Sequence, residues 1–314
     1  PSRATLDAVL GFAWRAGAFV SSDVMADAGL TRSTAFEAID TLIEFGLIRE
    51  LPNARAVGDY SKGRPARRFE LNEDAAALVG VDAGANALTA TVTDLRSAPL
   101  AVCRMHLDPD AHPAMRRARI VDAVDTVLAD AGVARDKVLA LCIGVPAPVN
   151  AEGRSPQHLK GFWEQMNPQL VDEFADWPPA LRIENDALLA AVAEGTVGAA
   201  VGCTDYIALL AGARLGAGVV LDGRELRGVH GGAGEMLALE HVKGVDSTRG
   251  LGYRMRTWAL DAIASGEADP DGPLAQIPPD QIDGARILEL AALGDPDALR
   301  IAHRCAETLA RIVS

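Results

Sequence analysis

Eight of the chain's 30 glycines fall at positions 212, 216, 218, 223, 228, 231, 232 and 234, all within residues 207–235. Two short apolar runs, 207–211 and 219–221, flank the turn Gly212-Ala213-Arg214-Leu215-Gly216. Glycine permits positive φ and close backbone approach, so a Gly-rich turn between two strands is a cradle for phosphate oxygens. Its chemistry is anion binding, yet Arg214 stands where such a cradle wants a hydroxyl and a glycine. A bulky residue there predicts backbone strain of roughly 1 kcal/mol or more, or a turn of another shape.

A second chemistry is written in the charge distribution. The 314 residues carry a formal net charge of −13. Residues 1–72 are neutral, with nine Lys or Arg against nine Asp or Glu, so the rest of the chain carries all of the excess. Within residues 49–68, six basic residues face only Glu50 and Asp59. A basic island on an acidic chain is a surface for nucleic-acid phosphates, or else a solvated basic loop.

The elements around that island decide between the two. Residues 5–16 hold apolar side chains at 6, 9, 10, 13 and 14, a helical period, and residues 24–28 form a short helix after the cap Ser21-Ser22-Asp23. Gly29-Leu30-Thr31 is a tight turn ending in an N-cap, and residues 32–45 put Ala35, Ala38, Ile39, Leu42 and Phe45 on one face. Two helices across a short turn predict a helix-turn-helix whose second helix offers Arg32, Ser33, Thr34 and Glu37 to the major groove. Arginine suits guanine, hydroxyls suit phosphate or base, and glutamate accepts from cytosine. Strands at 46–50 and 67–72 make a wing carrying Lys62, Arg64 and Arg67. Lys62-Gly63-Arg64-Pro65 resembles the Gly-Arg-Pro core of minor-groove arms.

From residue 73 onward the pattern is α/β. Val79-Gly80-Val81-Asp82-Ala83-Gly84 is a strand entering a turn, with further strands at 88–94 and 98–104. Residues 116–131 make an amphipathic helix, 138–145 a buried strand, and Ile183-Glu184-Asn185-Asp186-Ala187 leads into a helix over 188–199. Residues 291–314 are helical with an interruption near Gly294-Asp295-Pro296. No apolar run approaches the ~20 residues of a membrane helix. The N-terminal sequence does not read as a secretion signal, and four scattered cysteines without a CxxC pair predict reduced thiols in a cytoplasm.

Taken in order, Asp82-Ala83-Gly84, Ile143 to Asn150, Glu184-Asn185-Asp186-Ala187 and the Gly-rich hairpin ending Gly231-Gly232-Ala233-Gly234-Glu235 resemble the ROK family of repressors, open reading frames and sugar kinases. The resemblance runs from about residue 5 to the end of the chain. It implies a winged helix-turn-helix over 1–72, then a two-lobed actin- or hexokinase-like domain over 73–314, with lobe I at about 73–183 and lobe II at about 184–314. The family usually continues for some tens of residues, so the resemblance implies a second lobe incomplete in this sequence.

The same resemblance assigns residues. In ROK kinases the Asn-Asp pair binds sugar hydroxyls and its aspartate is the general base, which maps to Asn185 and Asp186; Glu235 maps to a further sugar-holding glutamate. A carboxylate in reach of a hydroxyl can take its proton; the plainer reading is that Asp186 caps the helix after it and Glu235 is a solvated loop acid. The phosphate elements depart from the family. Asp-x-Gly-Gly-Thr has become Asp82-Ala83-Gly84-Ala85-Asn86, and Gly-Thr-Gly-Ile-Gly has become Gly212-Ala213-Arg214-Leu215-Gly216. The family's Gly-Glu-Ile-Gly-His has become Gly234-Glu235-Met236-Leu237-Ala238, and its Cys-x-Cys-Gly-x-x-Gly-Cys zinc motif does not occur.

The sequence therefore predicts a non-enzymatic regulator without metal or cofactor: a DNA-binding repressor of carbohydrate-related genes, binding a sugar or sugar-phosphate effector and acting as a homodimer or higher homo-oligomer on double-stranded DNA. Two other readings compete. One is an ATP-dependent hexose kinase with an appended DNA-binding domain; the other is a DNA-binding protein whose ROK domain only dimerises.

Overall fold

The computed structural model describes residues 1–52, 66–157 and 161–313. Its N-terminal part comprises α1 (Arg3–Arg15), β1 (Phe19–Val20), α2 (Ser21–Ala28), α3 (Arg32–Glu44), β2 (Ile48–Leu51) and β3 (Arg68–Leu71). Thr31 caps α3 as the sequence predicts, its hydroxyl accepting the Thr34 N–H. The cap of α2 differs from expectation. Val20 is the N-cap, and the Asp23 carboxylate reaches back to its N–H at 2.9 Å. β3 pairs antiparallel with both β2 and β1, the second partner being too short to leave a sequence signal. Val9, Ala13, Val24, Ala38, Ile39, Leu42, Ile48 and Phe69 form a core of their own. Three helices and a small sheet of this layout are compatible with the helix-turn-helix expected here.

A mixed five-stranded sheet follows. β4 (Ala77–Ala83), β5 (Ala87–Thr93) and β6 (Pro99–His106) make an antiparallel meander, α4 (Pro113–Ala131) crosses over, and β7 (Val138–Val145) and β8 (Ala180–Asn185) add parallel strands in the order β6-β5-β4-β7-β8. Short helices α5 (Phe162–Met166) and α6 (Leu170–Glu173) lie between the last two strands. β4 alternates, with Val79, Val81 and Ala83 buried, as a half-buried strand must. These residues join Leu88, Ala90, Ile120, Val124 and Val127 in the main core.

α7 (Asp186–Val197) leads to a three-stranded antiparallel sheet of β9 (Tyr206–Leu210), β10 (Gly216–Leu221) and β11 (Arg224–Glu225). Gly218 is explained by packing. A Cβ there would overlap the Ala187 carbonyl and the Ala191 methyl of α7. The last part is helical: α8 (Leu251–Ser265), α9 (Gly284–Ala292) and α10 (Pro296–Val313) enclose a third core with Met255, Ala259, Ile287 and Ile301. The expected interruption of the terminal helix is a full break into α9 and α10. Among the described residues, no helix is long and apolar enough to cross a membrane.

Candidate functional site

Parallel strands end where crossovers begin, and the space beyond their carboxyl ends is where open α/β sheets bind ligands. Here β4 delivers Asp82, β7 delivers Gly144 and Pro146, and β8 delivers Asn185 and Asp186 to one side of a cleft. The turn 211–215 between β9 and β10 closes the other side. A cavity of about 390 Å³ lies between Asp82, Gly84, Gly144, Asp186, Gly212 and Arg214. A smaller one of about 50 Å³ adjoins it, lined by Phe162, Asn185, Asp186, Arg214, Gly216 and Glu235. The five residues of the two expected phosphate turns and the three expected sugar-holding residues thus converge on one cleft. Asp186 and Arg214 line both cavities, as do Pro146 and Leu210.

Arg214 carries none of the expected strain. The non-glycine residues at positive φ among those described are Ser97, Gln169, Asp222 and Asp246. Its backbone instead forms an antiparallel bridge to Arg249, and Gly250 approaches the Gly212 carbonyl so closely that no Cβ would fit. The turn has taken another shape. The guanidinium lies 4.4 Å above the Phe162 ring and donates to the Thr248 hydroxyl at 3.3 Å. Stacking a planar cation on an aromatic face is worth on the order of 1 kcal/mol or more when partly desolvated.

Asp186 is the most perturbed acid. Desolvation, with added repulsion from Asp82 and Glu235, pushes its carboxyl up to about 7 against the pull of the Ala187 N–H. Asp82 and Glu235 keep water contact along the cleft but lie deep enough that desolvation raises both; Arg214 partly opposes this at Glu235. The structure corrects the capping alternative. Asn185, not Asp186, is the N-cap of α7: its Oδ1 accepts the Leu188 N–H at 3.0 Å, and its Nδ2 donates to the Ala147 carbonyl at 3.1 Å. The amide expected to hold a ligand hydroxyl therefore already spends one donor and one acceptor on the fold.

Several residues to which the sequence gives no evident role position this site. Arg116, 2% exposed, sends its guanidinium under the Asp82–Gly84 turn to the carbonyls of Ala83 (2.5 Å), Gly84 (2.9 Å) and Met166 (3.3 Å), and burial lowers its pKa to about 10. Glu184, 3% exposed, is gripped by Arg182 at 2.5 Å and by Arg227, and accepts the Asn185 N–H. Arg227 begins the Gly-rich loop that carries Glu235, so this pair ties the loop to the end of β8. Gly231 in that loop presses on the Val149 carbonyl, at a positive φ that favours glycine. Phe162 supplies the surface under Arg214.

The expected DNA-contacting residues lie elsewhere, at the start of α3. Arg32, Ser33 and Glu37 are exposed and Thr34 is half-buried. The Ser33 and Thr34 hydroxyls lie 3.2 and 2.8 Å from the Thr31 hydroxyl, within the cap. Lys62 and Arg64 lie outside the described residues. Arg67 is paired internally, with Asp40 at 3.1 Å and Glu50 at 2.9 Å, so a phosphate contact from it would compete with two carboxylates.

Fold and cleft together define a mixed α/β protein of the sugar-kinase-like type, with a helical unit at its N-terminus. A model of the ROK family matches residues 78–314, and the chain belongs to that family. It is 24% identical over 209 residues to the xylose repressor of Bacillus subtilis (strain 168), covering 66% of this chain and 53% of that protein. The xylose repressor of Caldicellulosiruptor bescii gives 24% over 211 residues, covering 66% and 51%. The chain thus spans about half the length of the curated relatives it matches. Among solved structures, a ROK family transcriptional regulator described as a homologue of the E. coli MLC protein superposes with a TM-score of 0.70 at 24% identity, over 97% of this chain and 77% of that one. A ROK family glucokinase from Streptomyces griseus, in complex with glucose and AMPPNP, gives 0.59 at 24%, over 74% and 76%. At these identities the likeness establishes the fold.

Proposed function

We propose that this chain is a DNA-binding transcriptional regulator, a repressor of carbohydrate-related genes, whose cleft holds a sugar or sugar derivative without phosphorylating it. The observation that carries the reading is Arg214: its guanidinium stacks on Phe162, and the residue lines both cavities of the cleft. On this reading a bulky cation held there obstructs phosphoryl transfer to a hydroxyl beside Asp186. Residues 1–72 act as a winged helix-turn-helix in which Arg32, Ser33, Thr34 and Glu37 read DNA, with the Lys62-Gly63-Arg64-Pro65 motif serving as a minor-groove arm. Asp186 and Glu235 grip ligand hydroxyls, with Asn185 holding the helix end beside them.

The relatives named xylose repressors make D-xylose the first ligand to try. The cavity lined by Asn185 and Glu235 is small, about 50 Å³ beside the 390 Å³ of its neighbour, so on this reading the cleft opens to admit a sugar between Asp186 and Glu235. Opening around a ligand is a hinge movement, and in a homodimer it would change the separation of two DNA-reading helices. A gel-shift assay with DNA flanking the protein's own gene, at physiological salt and with or without D-xylose, tests this. Specific binding weakened by sugar supports it, and absence of any specific binding rejects it. Specific binding with no thermal stabilisation by any sugar would instead favour a domain that serves only to dimerise.

One observation favours a kinase. A carboxyl near pKa 7 is well matched to general-base work at neutral pH. ATP-dependent phosphorylation of a hexose, lost in Asp186→Asn, would establish that reading over the one proposed.

A further inference from the structure

The turn between β5 and β6 is built to be stiff. The Asp94 carboxylate, 8% exposed, accepts the N–H groups of Arg96 at 2.8 Å and Ala98 at 2.9 Å. Ser97 adopts a φ of 65°, and Leu95, fully buried, donates its N–H to the Glu73 carbonyl at 3.1 Å. From this turn the Arg96 side chain crosses to the end of α1. It donates to the Ala16 carbonyl at 2.9 Å and to the Trp14 carbonyl at 3.2 Å, with Glu73 pairing at 3.5 Å.

The last carbonyls of a helix have no partner within it and form the negative end of its dipole. A planar guanidinium suits them better than any other side chain, because its fork satisfies two carbonyls at once and its charge complements the dipole. α1 in turn packs on α3, with Val9 and Ala13 sharing a core with Ala38 and Leu42. The opposite ends of β4 and β5 carry Asp82 and Gly84 into the cleft. Seven residues of strand, at about 3.3 Å each, place the two ends about 20 Å apart across a buried sheet.

We infer that Arg96 is the positioning residue through which the five-stranded body holds α1, and with it α3, so that the N-terminal unit and the body move as one. The other ties among the described residues run through the segment 72–76, where Glu73 accepts the Leu95 N–H and Asp74 lies 3.8 Å from the Arg49 guanidinium; on this inference they are too few to stop the two units turning against each other once Arg96 is removed. What this coupling does for DNA binding rests on the regulator reading; the coupling itself does not.

The test is ¹⁵N relaxation on the full deuterated chain, comparing the rotational correlation time of amides in α1–α3 with that of amides in β4–β7. The wild type should give one value for both. Arg96→Ala should shorten the value for α1–α3 by a third or more, with both sets of amides keeping folded dispersion. Arg96→Lys, which offers a point charge without the fork, should fall between the two. Independent tumbling already in the wild type, or no change in either variant, would overturn the inference. Should the alanine variant fail to fold, the lysine variant decides alone, by shortening the α1–α3 value or leaving it equal. A protein that binds no DNA and no sugar would refute the proposed function while leaving this measurement intact.

Discussion

Asp186→Asn should make the protein's stability change less with pH, and the sign and size follow from the cleft. Burial and the charges of Asp82 and Glu235 raise the Asp186 carboxyl from 3.8 to about 7 in the folded state. Between those values the folded chain keeps a proton that the unfolded chain has released. Stability from this group is therefore full below about pH 4, declines as pH rises, and is lost above about pH 7. Three pKa units correspond to about 4 kcal/mol, an upper figure that water in the partly open cleft reduces to about 2–3 kcal/mol. Asparagine keeps the shape and cannot ionise. Urea unfolding of wild type and variant at pH 5 and pH 8 isolates the term, since all other groups titrate in both proteins. Roughly 1.2 of the three or so units lie below pH 5, so on going from pH 5 to pH 8 the variant should gain about 1–2 kcal/mol relative to wild type. A constant difference, or one that moves the other way, would mean that Asp186 is neither buried nor crowded by its neighbours as described.

Three further outcomes follow. Arg116→Met strands the carbonyls of Ala83 and Gly84 while releasing a buried cation, so thermal unfolding should show a net loss of about 1–3 kcal/mol, with Arg116→Lys milder. Gly218→Val drives a side chain into the Ala187 carbonyl and should cost at least about 3 kcal/mol by denaturant titration, whereas Gly212→Ala, in open space, should be nearly neutral. Arg32→Ala should lower affinity for cognate DNA by about 1–3 kcal/mol in fluorescence anisotropy, and if the contact is to a base the loss should be confined to one operator position.

Much of this was legible in the chain because local rules and the fold agree. The run Val79–Gly84 announces a strand entering a turn at Asp82, and Thr31 announces the start of α3. The glycines of the turn 212–216 suggest a phosphate cradle, yet a neighbouring glycine has another cause: Gly218 answers to helix packing, and Arg214 shapes the turn through a bridge to Arg249. Asn185 carries a similar double meaning, since a side chain suited to ligand hydroxyls is equally suited to a helix cap. Arg116 and Arg96 were invisible as functional residues. An arginine on an amphipathic helix or in a turn reads as a solvated charge, and only three-dimensional proximity turns it toward carbonyls from distant segments. The helices after residue 250 were read only at their end, because the family's zinc motif, which would have anchored that region, is replaced.

If Arg214 obstructs phosphoryl transfer as proposed, the cleft accepts a sugar without turning it over. The most direct measurement is coupled ADP release by the full chain with Mg·ATP across a panel of D-xylose, D-glucose and N-acetylmannosamine, with Asp186→Asn as the blank. The expected result is no sugar-dependent release above that blank. Sugar-dependent turnover in the wild type that disappears in Asp186→Asn would contradict the account.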